Sequence, residues 1–471
     1  MSRSIKKLFV FCLLAALAPA AMAFSLLGPL KGYQTPDIGY GLPGDLGGPM
    51  SLTESYRWNV PVITYAFDTS FINYFGTNGM NAVDAAFKIL NDLPAAGSMS
   101  RDLSEFPTRT VAENFEAGVL GIIDVKSRTL TMLLEQLGLA APERWVFALR
   151  ASAVQPIGGV SVTNYTVIKQ NYDPVTLLPS SYVNTSLYTY TIEDPIKPSD
   201  YADAVEGDPL ADDDGVPDMT VASFRRHGFF VTSGLFFRGL TRDDVGGLRY
   251  LLNPAHLANE ALLDTVTQAV GGPPPGGLGW IAWFGNATNS ATNVVIGGAG
   301  TNIITTGLRP GINKLTFKKT QYDSLIGQAF TPLTNRYVDQ VVGSNGTRLI
   351  KQNLQRAITQ PDILFVCEDL GLRGDGLTPI PFTSSGIGAW INNSALNGQG
   401  SQSGPGVIQG PIRLSFTDQF PYFSNSGATF LTEPSSGSDV WGSYDGSTDA
   451  PIIYPAYLNL TLEDLRRLSG K

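Results

Sequence analysis

Histidine and cysteine are nearly missing from this chain, with two of each among 471 residues. His227 and His256 cannot supply the His-Glu-x-x-His spacing that puts two imidazoles and a base on one helix face, so zinc hydrolysis by that route is excluded. A serine triad would have only those two side chains to draw on as base, and no Gly-x-Ser-x-Gly elbow occurs. No Gly-x-x-x-x-Gly-Lys-Ser/Thr loop is present, and Gly297-Gly298-Ala299-Gly300 lacks a strand-turn-helix setting, so no nucleotide cofactor is expected. Charge is sparse at 15%, with a net value of −9, which leaves no clustered Lys and Arg for nucleic acid. No segment beyond residue 23 holds 18 uninterrupted apolar residues, so no transmembrane helix is expected.

What the chain does have is core-forming material, 43% hydrophobic and 10% aromatic, which excludes bulk disorder. Its first 23 residues read as an export signal. Arg3, Lys6 and Lys7 form a basic start, Leu8 to Leu17 an apolar run, and Ala21-Met22-Ala23 a small-x-small cleavage site. Cleavage before Phe24 predicts a secreted, periplasmic or cell-surface protein. Cys12 departs with the leader, so no internal disulfide is expected, and Cys367 in Ile363-Leu364-Phe365-Val366-Cys367 reads as a buried, inert thiol.

Gly271-Gly272-Pro273-Pro274-Pro275-Gly276-Gly277 has the make-up of a spacer, and 271–279 is read as a linker. Residues 24–270 before it mix helix and strand signals. Val60 to Phe67 predicts a strand and Gly79 to Asp92 a helix with Met80, Val83, Phe87 and Leu90 on one face. Ser127 to Gly138 predicts a second helix and Trp145 to Leu149 a buried strand. Val162–Lys169 and Tyr182–Ile192 are expected to pair as a hairpin. Leu240 to Leu252 predicts a helix capped by Thr241, and Leu460 to Leu468 repeats its Leu-Thr-x-acid-Asp start. Residues 280–471 alternate short apolar runs with Gly, Asn, Ser and Thr. Strands are predicted there at Asn293–Ile296, Asn302–Thr305, Lys314–Lys318, Ile363–Cys367, Ile412–Phe416 and Ile452–Tyr454. The fold class expected is α+β and β-rich: an N-terminal mixed α/β-type domain followed by a β-sandwich-like domain ending in a helix.

Two groups of residues are candidates for ligand contact. Asp212, Asp214 and Asp218 lie in Asp-x-Asp-Gly-x-x-Asp spacing, and alternate carboxylates on a loop that turns at glycine suit Ca²⁺. That pattern resembles the calcium loops of thrombospondin type 3 and dockerin-like modules, although Leu210 stands where a first acidic ligand would be. Trp283, beside Trp280 and Asn286, and Trp441 with Tyr444, beside Asp439 and Asp445, are candidates for stacking on sugars.

Tyr56-Arg57-Trp58, Val62-Ile63-Thr64-Tyr65 and the helix with Ala82-Val83 and Ala85-Ala86-Phe87 resemble the opening strand and first helix of a matrixin-type metzincin. Leu240-Thr241, Asp243-Asp244 and Leu248-Arg249-Tyr250-Leu251 resemble its closing helix. The family's His-Glu-x-x-His-x-x-Gly-x-x-His is missing between them, so the resemblance implies an inactive or divergent frame over Phe24 to Pro254 with no zinc ligand to carry over. Tyr56–Asp92, Asn164–Tyr190 and Pro361–Leu370 also resemble secreted bacterial proteins of unassigned activity. The function expected is that of an extracellular or cell-surface protein acting by binding or structural packing, with polysaccharide or a cell-surface component as partner. The alternative is a secreted hydrolase, either a carboxylate-based glycosidase or a divergent protease.

Overall fold

Val62 to Phe67 has the continuous apolar, β-branched and aromatic make-up of a strand covered on both faces. In the computed structural model it is one, and all but its first residue are buried. The structure describes residues 22–41, 46–193, 202–207, 219–222, 233–269, 303–322, 330–343, 348–367, 382–384, 390–392, 404–416, 422–423, 430–431 and 440–469. In chain order the elements used below begin with β1 (Ser25–Gly28), β2 (Val62–Phe67), α1 (Thr69–Asp92), β3 (Ile122–Asp124), α2 (Val125–Gln136), β4 (Ala148–Ile157) and β5 (Val160–Ile168). They continue with α3 (Arg242–Leu252), β6 (Thr316–Lys319), β7 (Ile363–Cys367), β8 (Phe382–Ser384), β9 (Ile412–Phe416), β10 (Val440–Ser443) and α4 (Leu462–Ser469).

The central sheet runs β6-β2-β7-β9-β8. Its first four strands are parallel and β8 closes one edge antiparallel. The chain is therefore α+β and β-rich, as its composition predicts. Its architecture departs from a separate sandwich after residue 280. β6, β7 and β9 pair with β2 or with each other in one sheet, and β10 lies parallel to β3. The physical reason is burial: β7 is wholly apolar and β9 buries all but Arg413, so both need a neighbour strand on each edge and cover on their faces. The stretch 271–279, read as a linker, and the strand expected at Asn293–Ile296 lie outside the described residues.

α1 covers one face of this sheet and α2 packs on α1. The contact is aromatic: Phe71 lies 5.1 Å from Phe67, 6.0 Å from Phe365 and 5.7 Å from Phe416, and Phe87 stacks on Tyr65 at 3.7 Å. α1 begins ten residues before the predicted start at Gly79. Asp68 caps it by accepting from the Ser70 N–H, and Gly76, at φ 60°, bends the chain between its two stretches. α2 begins two residues before Ser127 because Asp124 is its cap. Asp124 Oδ2 accepts from the Ser127 N–H at 2.8 Å and from its hydroxyl at 2.5 Å. α3 starts at the predicted cap, with Thr241 and Asp244 exchanging bonds, and Thr461 and Asp464 repeat that device at α4.

β5 does not pair with residues 182–192. It pairs with β4 across a two-residue turn at Gly158 and Gly159, both at positive φ. That turn closes an antiparallel pair at once, whereas the expected pairing spans a long loop.

Candidate functional site

Asp212, Asp214 and Asp218 lie outside the described residues, as do Trp283, Trp280, Asn286 and His227. Among the described residues no group of three or more His, Cys, Asp or Glu side chains could hold a metal ion.

Trp441 and Tyr444 are described, and their positions correct the expectation of an exposed stacking face. Trp441 is 3% exposed, with its ring 5.1 Å from Phe416 and 6.3 Å from Phe75. Tyr444 is 5% exposed, and its hydroxyl donates to the Ile122 carbonyl at 3.0 Å. Both rings are buried because β10 is laid against β3 inside the body, so neither presents a face to a sugar. His256 is half-buried, with Nδ1 2.9 Å from the Tyr250 carbonyl. Burial, then the Arg57 charge, push its imidazole down to about 4, so the ring is neutral at physiological pH.

Buried charges form fixed posts between distant segments. Arg57 pairs with Glu260 and donates to the carbonyls of Leu251, His256 and Arg309, each at 2.9 Å. Arg309 pairs with Asp339 and donates to the Glu260 and Ile304 carbonyls at 2.6 Å. Arg356 clasps Asp362 with both terminal nitrogens. Fully enclosed Arg heads with this many acceptors hold backbone in place and leave little donor capacity for a ligand.

The start of α3 gathers carboxylates. Asp244 accepts from the backbone N–H groups of Thr241, Val221 and Ala222. Glu143 accepts from the Thr220 N–H at 2.6 Å and from its hydroxyl at 3.1 Å. Together they pin residues 219–222 against α3. Burial pushes both carboxyls above the usual range, and the fixed donors pull the other way. Acids enclosed and satisfied in this manner are placed for structure, since a general acid or nucleophile must reach a substrate.

The surface offers a different feature. Every residue from Arg150 to Asn164 is exposed, so β4 and β5 stand off the body as a ribbon of two strands. Val154, Ile157 and Val160 are 67%, 58% and 66% exposed. No charged side chain occurs between Ala151 and Ile168, while Ser152, Gln155, Ser161, Thr163, Asn164 and Thr166 supply hydroxyls and amides. The base is anchored by buried Phe147 and Leu149 and by Arg150 stacked over Tyr33 at 3.4 Å. The sequence signal for this ribbon is Gly158-Gly159 between two β-branched runs.

No known protein family, no curated protein and no solved structure matches the chain.

Proposed function

We propose that this chain is exported and acts outside the cytoplasm as a non-catalytic binding or packing protein, with the β4–β5 ribbon as its contact surface. The observation that carries this reading is the exposed ribbon, uncharged from Ala151 to Ile168, on a chain of net charge −9. Apolar tips flanked by hydroxyl and amide groups fit a neutral polysaccharide, whose rings offer C–H faces and whose hydroxyls both donate and accept. A basic or acidic polymer would call for charge that the ribbon lacks. The metzincin-like segments then serve as scaffold, with β2 running into α1 as its floor. A Ca²⁺ ion on Asp212, Asp214 and Asp218 would steady the acidic loop.

A glycosidase would need two carboxyl groups about 5 to 10 Å apart facing one cleft. The buried carboxylates Asp244, Glu143 and Asp362 are instead occupied by internal donors, which favours binding over hydrolysis. The test is retention on an insoluble neutral glucan such as cellulose, comparing the natural chain with Ile157→Lys and Val160→Lys. The reading expects retention by the natural chain and at least a ten-fold loss in either variant. Equal behaviour of all three overturns it.

A further inference from the structure

The β4–β5 ribbon has two edges as well as two faces. In a two-residue hairpin whose turn residues both have positive φ, the flanking pair exchanges both backbone bonds, and bonded pairs alternate with unbonded ones from there. Gly158 and Gly159 have φ 61° and 84°, and Ile157 lies opposite Val160. Ile157–Val160, Gln155–Val162 and Ala153–Asn164 are therefore the pairs bonded across the ribbon. The residues between them turn their backbone groups outward: Ser152, Val154 and Pro156 on β4, and Ser161, Thr163 and Tyr165 on β5. Pro156 fits this parity, because proline enters a strand where its missing N–H would face outward.

Only one of these edges is guarded. A free edge invites another strand, and proteins block it with proline, charge or a bulge. β4 carries Pro156 in its outward row and a register shift between Leu149 and Ala151. The stretch Asp203–Gly207 also packs against β4, with Ala204 in the same buried cluster as Leu149. β5 has no proline and no charged residue from Val160 to Ile168. Among the described residues it pairs with β4 alone, so its other edge is open. Ser161 and Thr163 are exposed and Tyr165 is half-buried.

We infer that the open edge of β5 receives the β5 edge of a second copy, joining two ribbons into one four-stranded sheet. Antiparallel pairing about a two-fold axis at Thr163 sets Ser161 opposite Tyr165 of the second copy and Thr163 opposite its own counterpart. Every outward group from Ser161 to Tyr165 then finds a partner. Threonines facing each other across strands are a favourable pair. Charge points to the same occupant: each chain carries −9, and this edge lets two copies meet without opposing carboxylates. Ile157, Val160 and Val162 share one face of the ribbon, and the two-fold axis puts both such tips on the same side of the joined sheet. The pairing uses the edge and leaves the faces free, so it stands independently of the glycan reading.

The test is sedimentation velocity of the purified full chain over a range of concentrations, beside Thr163→Pro and Val154→Pro. Each proline removes an outward N–H and spares the ribbon's own ladder, the first on the open edge and the second on the edge that Pro156 already blocks. The inference expects dimers of the natural chain and of Val154→Pro, and at least ten-fold weaker association of Thr163→Pro. Engineered thiols then read the register. Two copies of Thr163→Cys would place their Cα atoms about 5.5 Å apart at the axis, within disulfide reach. Two copies of Ser161→Cys would lie about 14 Å apart along the strands. Under mild oxidation the first is expected to cross-link at least ten-fold faster, with the buried Cys367 common to both. A natural chain that stays monomeric overturns the inference, as does association that Thr163→Pro leaves unchanged or Val154→Pro weakens equally. Equal cross-linking of the two cysteine variants overturns the pairing about Thr163.

Discussion

Thr64 and Asp362 hold each other at both ends: the Thr64 hydroxyl donates to Asp362 Oδ2 at 3.0 Å and accepts from the Asp362 backbone N–H at 3.1 Å. The same Oδ2 accepts from the Thr64 N–H at 2.8 Å, and Arg356 closes the other side of the carboxylate. Thr64 sits in β2 and Asp362 directly precedes β7, so this clasp sets the register of two parallel strands almost three hundred residues apart. Asp362→Ala would leave the Arg356 guanidinium enclosed without its partner. We expect a loss of about 3–5 kcal/mol in equilibrium denaturation, and a smaller one for Asp362→Asn, which keeps an acceptor. A loss below about 1 kcal/mol would show that the clasp does not organise the sheet.

Asp124 gives a pH signature. Burial pushes its carboxyl up to about 6, against the pull of Lys126 and the Ser127 donors. An acid whose folded value is raised keeps its proton longer folded than unfolded. Its contribution is therefore fully present below about 4 and is lost as pH rises through about 6. Asp124→Asn, which still caps α2, does not titrate. Its stability relative to the natural chain is expected to climb between pH 4 and 6 by about 2–3 kcal/mol. Denaturation midpoints with a constant gap across that window would contradict this.

Gly138 follows α2 at φ 97°, and a Cβ there would lie 2.4 Å from the Tyr56 carbonyl oxygen. Gly138→Ala combines a left-handed backbone with a clash against main chain, and is expected to cost about 1–3 kcal/mol in a thermal or chemical melt. Gly158→Ala, also at positive φ but with open space around it, is expected to cost less.

Ile157→Lys and Val160→Lys change residues that are more than half exposed, at the ribbon's turn. Their effect on stability is expected to stay within about 0.5 kcal/mol, because little packing is lost. A larger destabilisation would mean that the ribbon is packed in solution.

The parts of this fold carried by local chemistry were readable. The Thr241 cap, the β7 and β9 runs and the end of α2 each follow from a few neighbouring residues. Partner choice was not readable, because nothing in Ile363 to Cys367 says that its neighbours are Tyr65 to Phe67 and residues 412–416. The same limit hid the clasp at Asp362 and the burial of Trp441 and Tyr444, which depends on β10 finding β3. The ribbon has a different reason: Gly158 and Gly159, both at positive φ, close a hairpin with less loop entropy than the long connection between residues 169 and 182.

The most direct measurement of the whole account follows bound protein and released reducing sugar together, over hours, with the purified secreted chain on an insoluble neutral glucan. A contact protein of this kind stays with the solid and frees no sugar above the buffer control. Steady release of soluble fragments, abolished by replacing an acidic residue, would instead identify a hydrolase.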